Sequence, residues 1–152
     1  MNIVWQYLDK KSATIDVLKD YESMEFIIES TDDKIKDVED NMISVASTNF
    51  SGMPRSNNTN GNESRIVNSI NEIDILKERY RQASEYMNWF LPAWNKLNEE
   101  EQFILTEFYI TDDINKTDAV QVICDKYKIE RSSTYNKKNR AVQKLAVLLY
   151  GK

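Results

Sequence analysis

RSSTYNKKNRAVQKLAVLL, residues 131–149, carries two patterns at once. Its second half places Ala141, Val142, Leu145, Leu148 and Leu149 at helical spacing, which reads as an apolar stripe facing a core. Its first half is polar and cationic. At about 100° per residue, Arg131, Tyr135 and Asn139 share one stripe with Ser132 and Asn136 beside it, while Thr134, Ala141, Leu145 and Leu148 face the other way. The stretch predicts a helix from about Arg131 to Leu149, stopped by Gly151, with one face for packing and one for a polar partner.

Upstream, Lys128 to Glu130 is a turn, and Val120, Val122, Ile123 and Tyr127 mark a short helix capped at Thr117. Thr111 to Lys116 is a polar loop. Before it, Asn98-Glu99-Glu100-Glu101 has the form of a capping box, with Asn98 accepting from first-turn amides and Glu101 reaching back. Phe103, Ile104, Leu105 and Phe108 line the inner side of a helix that continues to about Ile110. Three consecutive helices, the last one basic, give a helix-turn-helix outline in which the final helix would enter a DNA major groove.

Charge supports that partner. The 152-residue chain has a net charge of −5, yet residues 126–152 hold 8 basic residues and 1 acidic, against 12 and 24 in residues 1–125. An acidic chain that concentrates its cations in one short segment implies an anionic partner, here double-stranded DNA. On the polar stripe, Arg131 suits the two acceptors of guanine, Asn136 suits adenine, and Ser132 can donate or accept at either. With Tyr135 on the same stripe, these four are the candidate base-contacting residues. Lys126, Lys128, Lys137, Lys138, Arg140 and Lys144 are the candidate phosphate contacts.

Composition excludes several other classes. Three Gly and two Pro argue against a turn-rich sandwich or barrel. The absence of His and the single Cys exclude a Cys/His zinc site, a Ser-His-Asp or Cys-His triad and a disulfide framework. Asp32-Asp33 and Asp112-Asp113 lack the ligand number of a Mg²⁺ or Ca²⁺ site. The expectation is a protein that is not an enzyme and takes no metal or cofactor. Cys124 reads as a small buried residue where helices pack closely, and Glu99 to Glu101 as helix capping with dipole compensation. No apolar run approaches the ~20 residues of a membrane span and no signal pattern opens the chain, so a cytoplasmic protein with no membrane partner is expected.

The front half is different in kind. Val17, Tyr21, Met24, Ile28, Thr31, Ile35, Val38, Met42 and Val45 step by four and three, a heptad seam with one polar position at Thr31. Ser47 to Ser64 reads as a flexible loop. The stepping resumes at Ile66 and Ile70 and continues through Ile73, Leu76, Tyr80, Ala83, Met87, Phe90, Trp94 and Leu97. Pro92 predicts a kink or break near Trp89 to Trp94. The two seams can close within one chain or pair between chains. The expected architecture is all-α: an antiparallel long-helix hairpin, or coiled coil, over residues 1–96 with its loop at 47–64, then a helix-turn-helix over 97–152. A homodimer formed through the remaining surface is also expected.

Leu97-x-Glu99-Glu100-Glu101-x-x-x-Leu105-x-x-x-Tyr109 resembles the opening helix of sigma-factor region 4. Ile123-Cys124 with Tyr127, Ile129 and Arg131 resembles that family's second helix and turn, and Arg140-Ala141-Val142-x-Lys144-Leu145 the end of its recognition helix. The run from Arg131 to Ala141 is closer still to phage-encoded regulators of the ArpU and RinA type, in which a charged helical hairpin precedes a sigma-like helix-turn-helix. Gly52-Met53-Pro54 suits the variant with a coiled-coil front half. The resemblance covers residues 97–149 in sequence and 13–96 in architecture only. It implies a sequence-specific DNA-binding transcriptional regulator of a phage or prophage, activating late or packaging genes, with host RNA polymerase as a further candidate partner.

Two features depart from the sigma pattern. Lys128 stands where a glycine is usual, so this turn is expected to be made differently. Positions often occupied by Arg, Glu, Arg and Gln fall on Arg131, Ser132, Tyr135 and Asn136, so an ordinary sigma-factor promoter element is not the expected target. Two other readings stay open: a small terminase subunit that binds packaging-site DNA as a ring, and a coiled-coil protein-interaction module whose basic end meets an acidic partner.

Overall fold

Asp9 starts the first long helix. Its carboxylate accepts from the Ser12 amide at 3.2 Å and the Ser12 hydroxyl at 2.9 Å, which satisfies an otherwise unpaired first-turn donor. The hydroxyl bond above all, with the amide, holds the Asp9 carboxyl below its usual range. No Gly or Pro interrupts residues 10–48, so nothing in that stretch breaks a helix.

The computed structural model describes residues 3–48, 59–111 and 116–151, and every regular element among them is helical. α1 spans Val4–Tyr7, α2 Lys10–Thr48, α3 Thr59–Trp94, α4 Glu99–Leu105, α5 Lys116–Tyr127 and α6 Arg131–Tyr150. A π-helical turn, Thr106–Ile110, extends α4. The chain divides into two compact units, Met1–Met24 with Tyr86–Lys152, and Glu25–Glu85. The expected boundary between residues 96 and 97 falls inside the first of them.

Both margins of the loop expected over residues 47–64 are helical. Ser47, Thr48 and Thr59 to Ser64 are helical, because Thr, Asn and Gly in the opening turn of α3 are residues that helix starts tolerate well. Gly52-Met53-Pro54 lies outside the described residues. The break expected at Pro92 is also milder. α3 passes through Pro92 and ends two residues later at Trp94, where the bonding shortens to Lys96 N→Ala93 O and Leu97 N→Trp94 O, both 3.1 Å. The Gln102 side-chain amide adds a 2.9 Å bond to the Trp94 carbonyl. The end of α3 is thereby capped from the next helix, and Pro92, which has no N–H to donate to the Asn88 carbonyl, stands only two residues before the helix stops.

In the first unit, Leu18, Phe90, Ala93, Leu97, Leu105, Ala141, Val142, Leu145 and Leu149 form one apolar core. Phe90 is fully buried and meets the rings of Tyr21, Tyr86 and Trp94 at 5.4–5.6 Å. The Tyr86 hydroxyl donates to the Val17 carbonyl at 2.6 Å, so its ring is fixed at both ends, and burial above all pushes that hydroxyl's pKa up. Trp89, off the α3 seam, stays 38% exposed with its ring edge-on to Tyr150. A second cluster, Ile104, Phe108, Val120 and Ile123, joins α4 and its π turn to α5.

The second unit buries much less. Among its described apolar side chains only Val38 and Ala83 are buried. The α2 seam positions Ile28, Ile35, Met42 and Val45 are half-buried, and the Thr31 hydroxyl is satisfied by donating to the Ile27 carbonyl. The α3 seam is looser, with Ile70 47% and Tyr80 39% exposed. Successive three-residue steps from Ile70 to Ile73 to Leu76 each turn the stripe back by about 60°, leaving Ile70 at its margin. Tyr80 is long enough to keep its hydroxyl in water. On the solvent side Arg81 bonds Glu78 and Glu85 at 2.7 Å. The Glu78 carboxyl is pushed down to about 2, chiefly by its hydrogen bond from Arg81.

Phe90→Ala is expected to lower the unfolding free energy by about 3–5 kcal/mol in urea denaturation, because a fully buried aromatic leaves a cavity that its ring neighbours cannot fill. Ile43→Ala, at a position 67% exposed, is expected to stay within about 0.5 kcal/mol of the parent chain.

Candidate nucleic-acid interface

The candidate site is built on the connection from α5 to α6. Lys128 adopts φ +55°, and the Ile129 amide donates back to the Cys124 carbonyl at 3.3 Å. This is the left-handed helix ending usually made by glycine, with Ile129 packed beside Cys124 in the second cluster. The expectation that Lys128 forces a different turn is therefore corrected. The chain makes the glycine-type turn with a lysine and bears the steric cost of a Cβ at positive φ, about 1–2 kcal/mol. The packing of Ile129 and the start of α6 hold it there.

Glu130, in extended conformation, precedes α6 without a side-chain cap, and its carbonyl accepts from the Thr134 amide at 3.0 Å and the Thr134 hydroxyl at 3.2 Å. Thr134 is fully buried, and its hydroxyl oxygen lies 3.3 Å from the Cys124 sulfur. Cys124 is half-buried at this close approach of α5 and α6. Thr117, expected as the cap of α5, is already inside that helix, which begins at Lys116; Asp112 to Asn115 lie outside the described residues. Among the described residues no group of three or more potential metal ligands stands together. No helix among them is long and apolar enough to cross a membrane.

Arg131, Ser132, Tyr135 and Asn136 are all exposed on the first two turns of α6, where Thr134 alone is buried, while Ala141, Val142, Leu145, Ala146 and Leu149 are buried in the later turns. Val142, Ala146 and Leu149 share the angular position of Arg131 and Tyr135, so burial changes along the helix as well as around it, and Leu148, expected on the packing face, is 40% exposed at its margin. The structure brings the four candidate base-contacting residues onto one face. Tyr135 is partly held by its own chain, its ring centroid 6.1 Å from that of Phe108.

The six candidate phosphate contacts separate into kinds. Lys126 is exposed, with its ammonium 3.7 Å above the Phe103 ring. Lys138 is half-buried between the Phe108 and Tyr135 rings, at 5.3 and 5.4 Å. Lys128 and Arg140 are exposed. Lys137 instead forms an ion pair with Glu100, and Lys144 pairs with Glu101 at 3.1 Å.

Phe103 and Phe108 read from sequence only as inner-face residues, and Glu100 and Glu101 as helix capping, with contact to polymerase as the alternative. One half of the capping box expected at Asn98 is formed: the Glu101 amide donates to Asn98 Oδ1 at 2.8 Å. Glu101 does not reach back to the backbone but accepts from Asn98 Nδ2 at 2.9 Å. The acidic run thus serves two purposes, starting α4 and pairing with α6. A usable signal was the seven-residue spacing of Lys137 and Lys144, which places both on one face of α6.

Comparison with protein-family models, with curated proteins and with solved structures finds no match to this chain. The site's own geometry and charge carry the functional argument.

Lys128→Gly is expected to raise stability by about 0.5–1 kcal/mol, the relief of strain at positive φ less the extra freedom glycine has when unfolded. Lys128→Ala keeps the Cβ and is expected to give no such gain. Urea denaturation of the two variants side by side checks this.

Proposed function

We propose that this chain is a sequence-specific, double-stranded-DNA-binding transcriptional regulator of a phage or prophage that activates late or packaging genes. The observation that carries the reading is the first two turns of α6: four side chains able to read base edges stand exposed on one face, while Thr134 beside them and the later turns of the helix are locked in the core. The cationic segment from Lys126 onward surrounds them. In this reading α4 with its π turn, α5 and α6 form a sigma-region-4-like helix-turn-helix, with α6 as the recognition helix and the Lys128 turn as its hinge point.

The same proposal makes α2 and α3 an antiparallel helical hairpin. In the first unit Val17 and Tyr21 meet Tyr86 and Phe90; in the second, Lys34, Asp37 and Asn41 share a groove with Ser69, Glu72 and Leu76. A second copy of the chain is the partner proposed for the thinly cored second unit, whose Phe26, Ile43, Val67 and Ile75 are each more than half exposed. Host RNA polymerase is the further protein partner in this reading.

The test begins by selecting a preferred duplex from a random pool and measuring binding to it and to a random duplex across salt concentrations. With four to six phosphate contacts, log K against log salt is expected to slope by about −3.5 to −5.5. Arg131→Ala and Asn136→Ala are expected to cost about 1–3 kcal/mol on the selected duplex and little on the random one. Lys138→Ala is expected to weaken both alike and to shallow the slope by about 1. A slope near zero overturns the DNA-binding reading. Equal losses on both duplexes for Arg131→Ala and Asn136→Ala overturn their role as sequence readers.

A further inference from the structure

Two of the candidate DNA-binding cations are already occupied by carboxylates of the same chain. Lys137 on α6 pairs with Glu100 on α4, and Lys144, seven residues further along α6, pairs with Glu101. Together with Arg140 these four side chains line one cleft between the two helices. Glu101 is held in place for this. Its Oε1 accepts from both Asn98 Nδ2 and Lys144 Nζ, while its Oε2 is buried without a hydrogen-bond partner. The carboxylate is anchored by the residue that caps α4 and not only by the lysine it meets.

These pairs add little to the packing of α4 on α6. That packing rests on Leu105 with Ala141, Val142 and Leu145, whereas half-exposed ion pairs are weak and screened by salt. The lysine side chains keep 39% and 46% of their surface, so a nucleic-acid phosphate can approach them. A phosphate and a carboxylate compete for the same ammonium with the same charge-assisted hydrogen bonds. With both carboxylates ionised the cleft carries three cations and two anions; without them it would carry three cations alone.

We infer that Glu100 and Glu101 are built-in anionic competitors of the DNA backbone, which withhold Lys137 and Lys144 from phosphate contact and so set the chain's general affinity for DNA. The inference rests on the DNA-binding reading above and names the residues that limit sequence-independent attraction at that same site. A regulator must find one site among many, so a restrained phosphate contribution lets base contacts by Arg131, Ser132, Tyr135 and Asn136 weigh more in the total.

The experiment uses the full chain and a random-sequence duplex, with affinity read by fluorescence anisotropy across salt. Glu100→Gln with Glu101→Gln keeps side-chain oxygens where the carboxylates stood, including an acceptor for Asn98, and should steepen the log K against log salt slope by about 1 to 2, with several-fold tighter binding at the lowest salt. Glu100→Gln alone leaves the Asn98 cap untouched and should give about half that change, which keeps the test decisive if the double variant folds poorly. Adding Lys137→Gln and Lys144→Gln to the double variant should erase the gain. Glu99→Gln removes one charge from the same turn without touching either pair, and should leave the slope unchanged.

An unchanged slope in Glu100→Gln and in the double variant, or an equal steepening by Glu99→Gln, overturns the inference while the DNA-binding reading stands on the slope of the parent chain. No binding by the parent chain or by any variant overturns both.

Discussion

Burial of α6 along Ala141, Val142, Leu145 and Leu149 fixes the rotation of that helix about its own axis, and what its first turns present to solvent follows from that rotation. These residues join Phe90 and Leu18 in one core, so the long helices contribute the wall against which α6 is set. A change of one residue in register would turn the Arg131, Ser132, Tyr135 and Asn136 face by about 100°. The buried Thr134, bonded to the Glu130 carbonyl and in contact with Cys124, fixes the same rotation at the other end of the helix. Packing by the later turns and presentation by the first belong to one rigid helix, and the second has no freedom left once the first is satisfied.

Charge is organised on a similar principle. Read as a sum, the segment from Lys126 is strongly cationic; read as contacts, part of that charge is matched within the first unit by the acidic start of α4. The aromatic rings of Phe103 and Phe108 hold two further lysines by cation–π contact. The cationic face is therefore partly preorganised, with several ammonium groups placed before any partner arrives. Less side-chain freedom remains to be lost on binding.

Elements set by local pattern were legible from residues alone. The all-helical content followed from scarce Gly and Pro, the core face of α6 from the spacing of Ala141, Val142, Leu145 and Leu149, though not Leu148, which is 40% exposed, and the start of α4 from Asn98 with Glu101. Each needs only neighbours within one or two turns. What escaped was non-local or depended on backbone conformation. The Glu100–Lys137 and Glu101–Lys144 pairs join residues 37 and 43 positions apart, beyond any helical period. The conformation of Lys128 ran against the usual preference for glycine, because tertiary packing of Ile129 outweighed a local steric cost. The extension of α2 and α3 into the Ser, Asn and Gly stretch shows the same limit: residues that favour caps also sit comfortably in first turns, so composition overstated the loop.

The π-helical turn at Thr106–Ile110 lets one short segment serve two cores. The Thr111 amide reaches back five residues to the Thr106 carbonyl at 2.9 Å, which accommodates one more residue than an α-turn would. Leu105 faces the core shared with α6, while Ile104 and Phe108 face the one shared with α5, and Tyr109 borders both. In engineering terms this turn behaves as an inserted spacer whose length matters apart from the identity of its side chains. Deleting one residue from it would restore an unremarkable α-helix with the downstream chain in nearly its present phase, because the π turn has absorbed the extra residue; adding a further residue would swing everything downstream by about 100°, so that apolar side chains fitted to one core would be offered to the other. Length is thus constrained in one direction, independently of the Phe108 side chain that the same five residues bury.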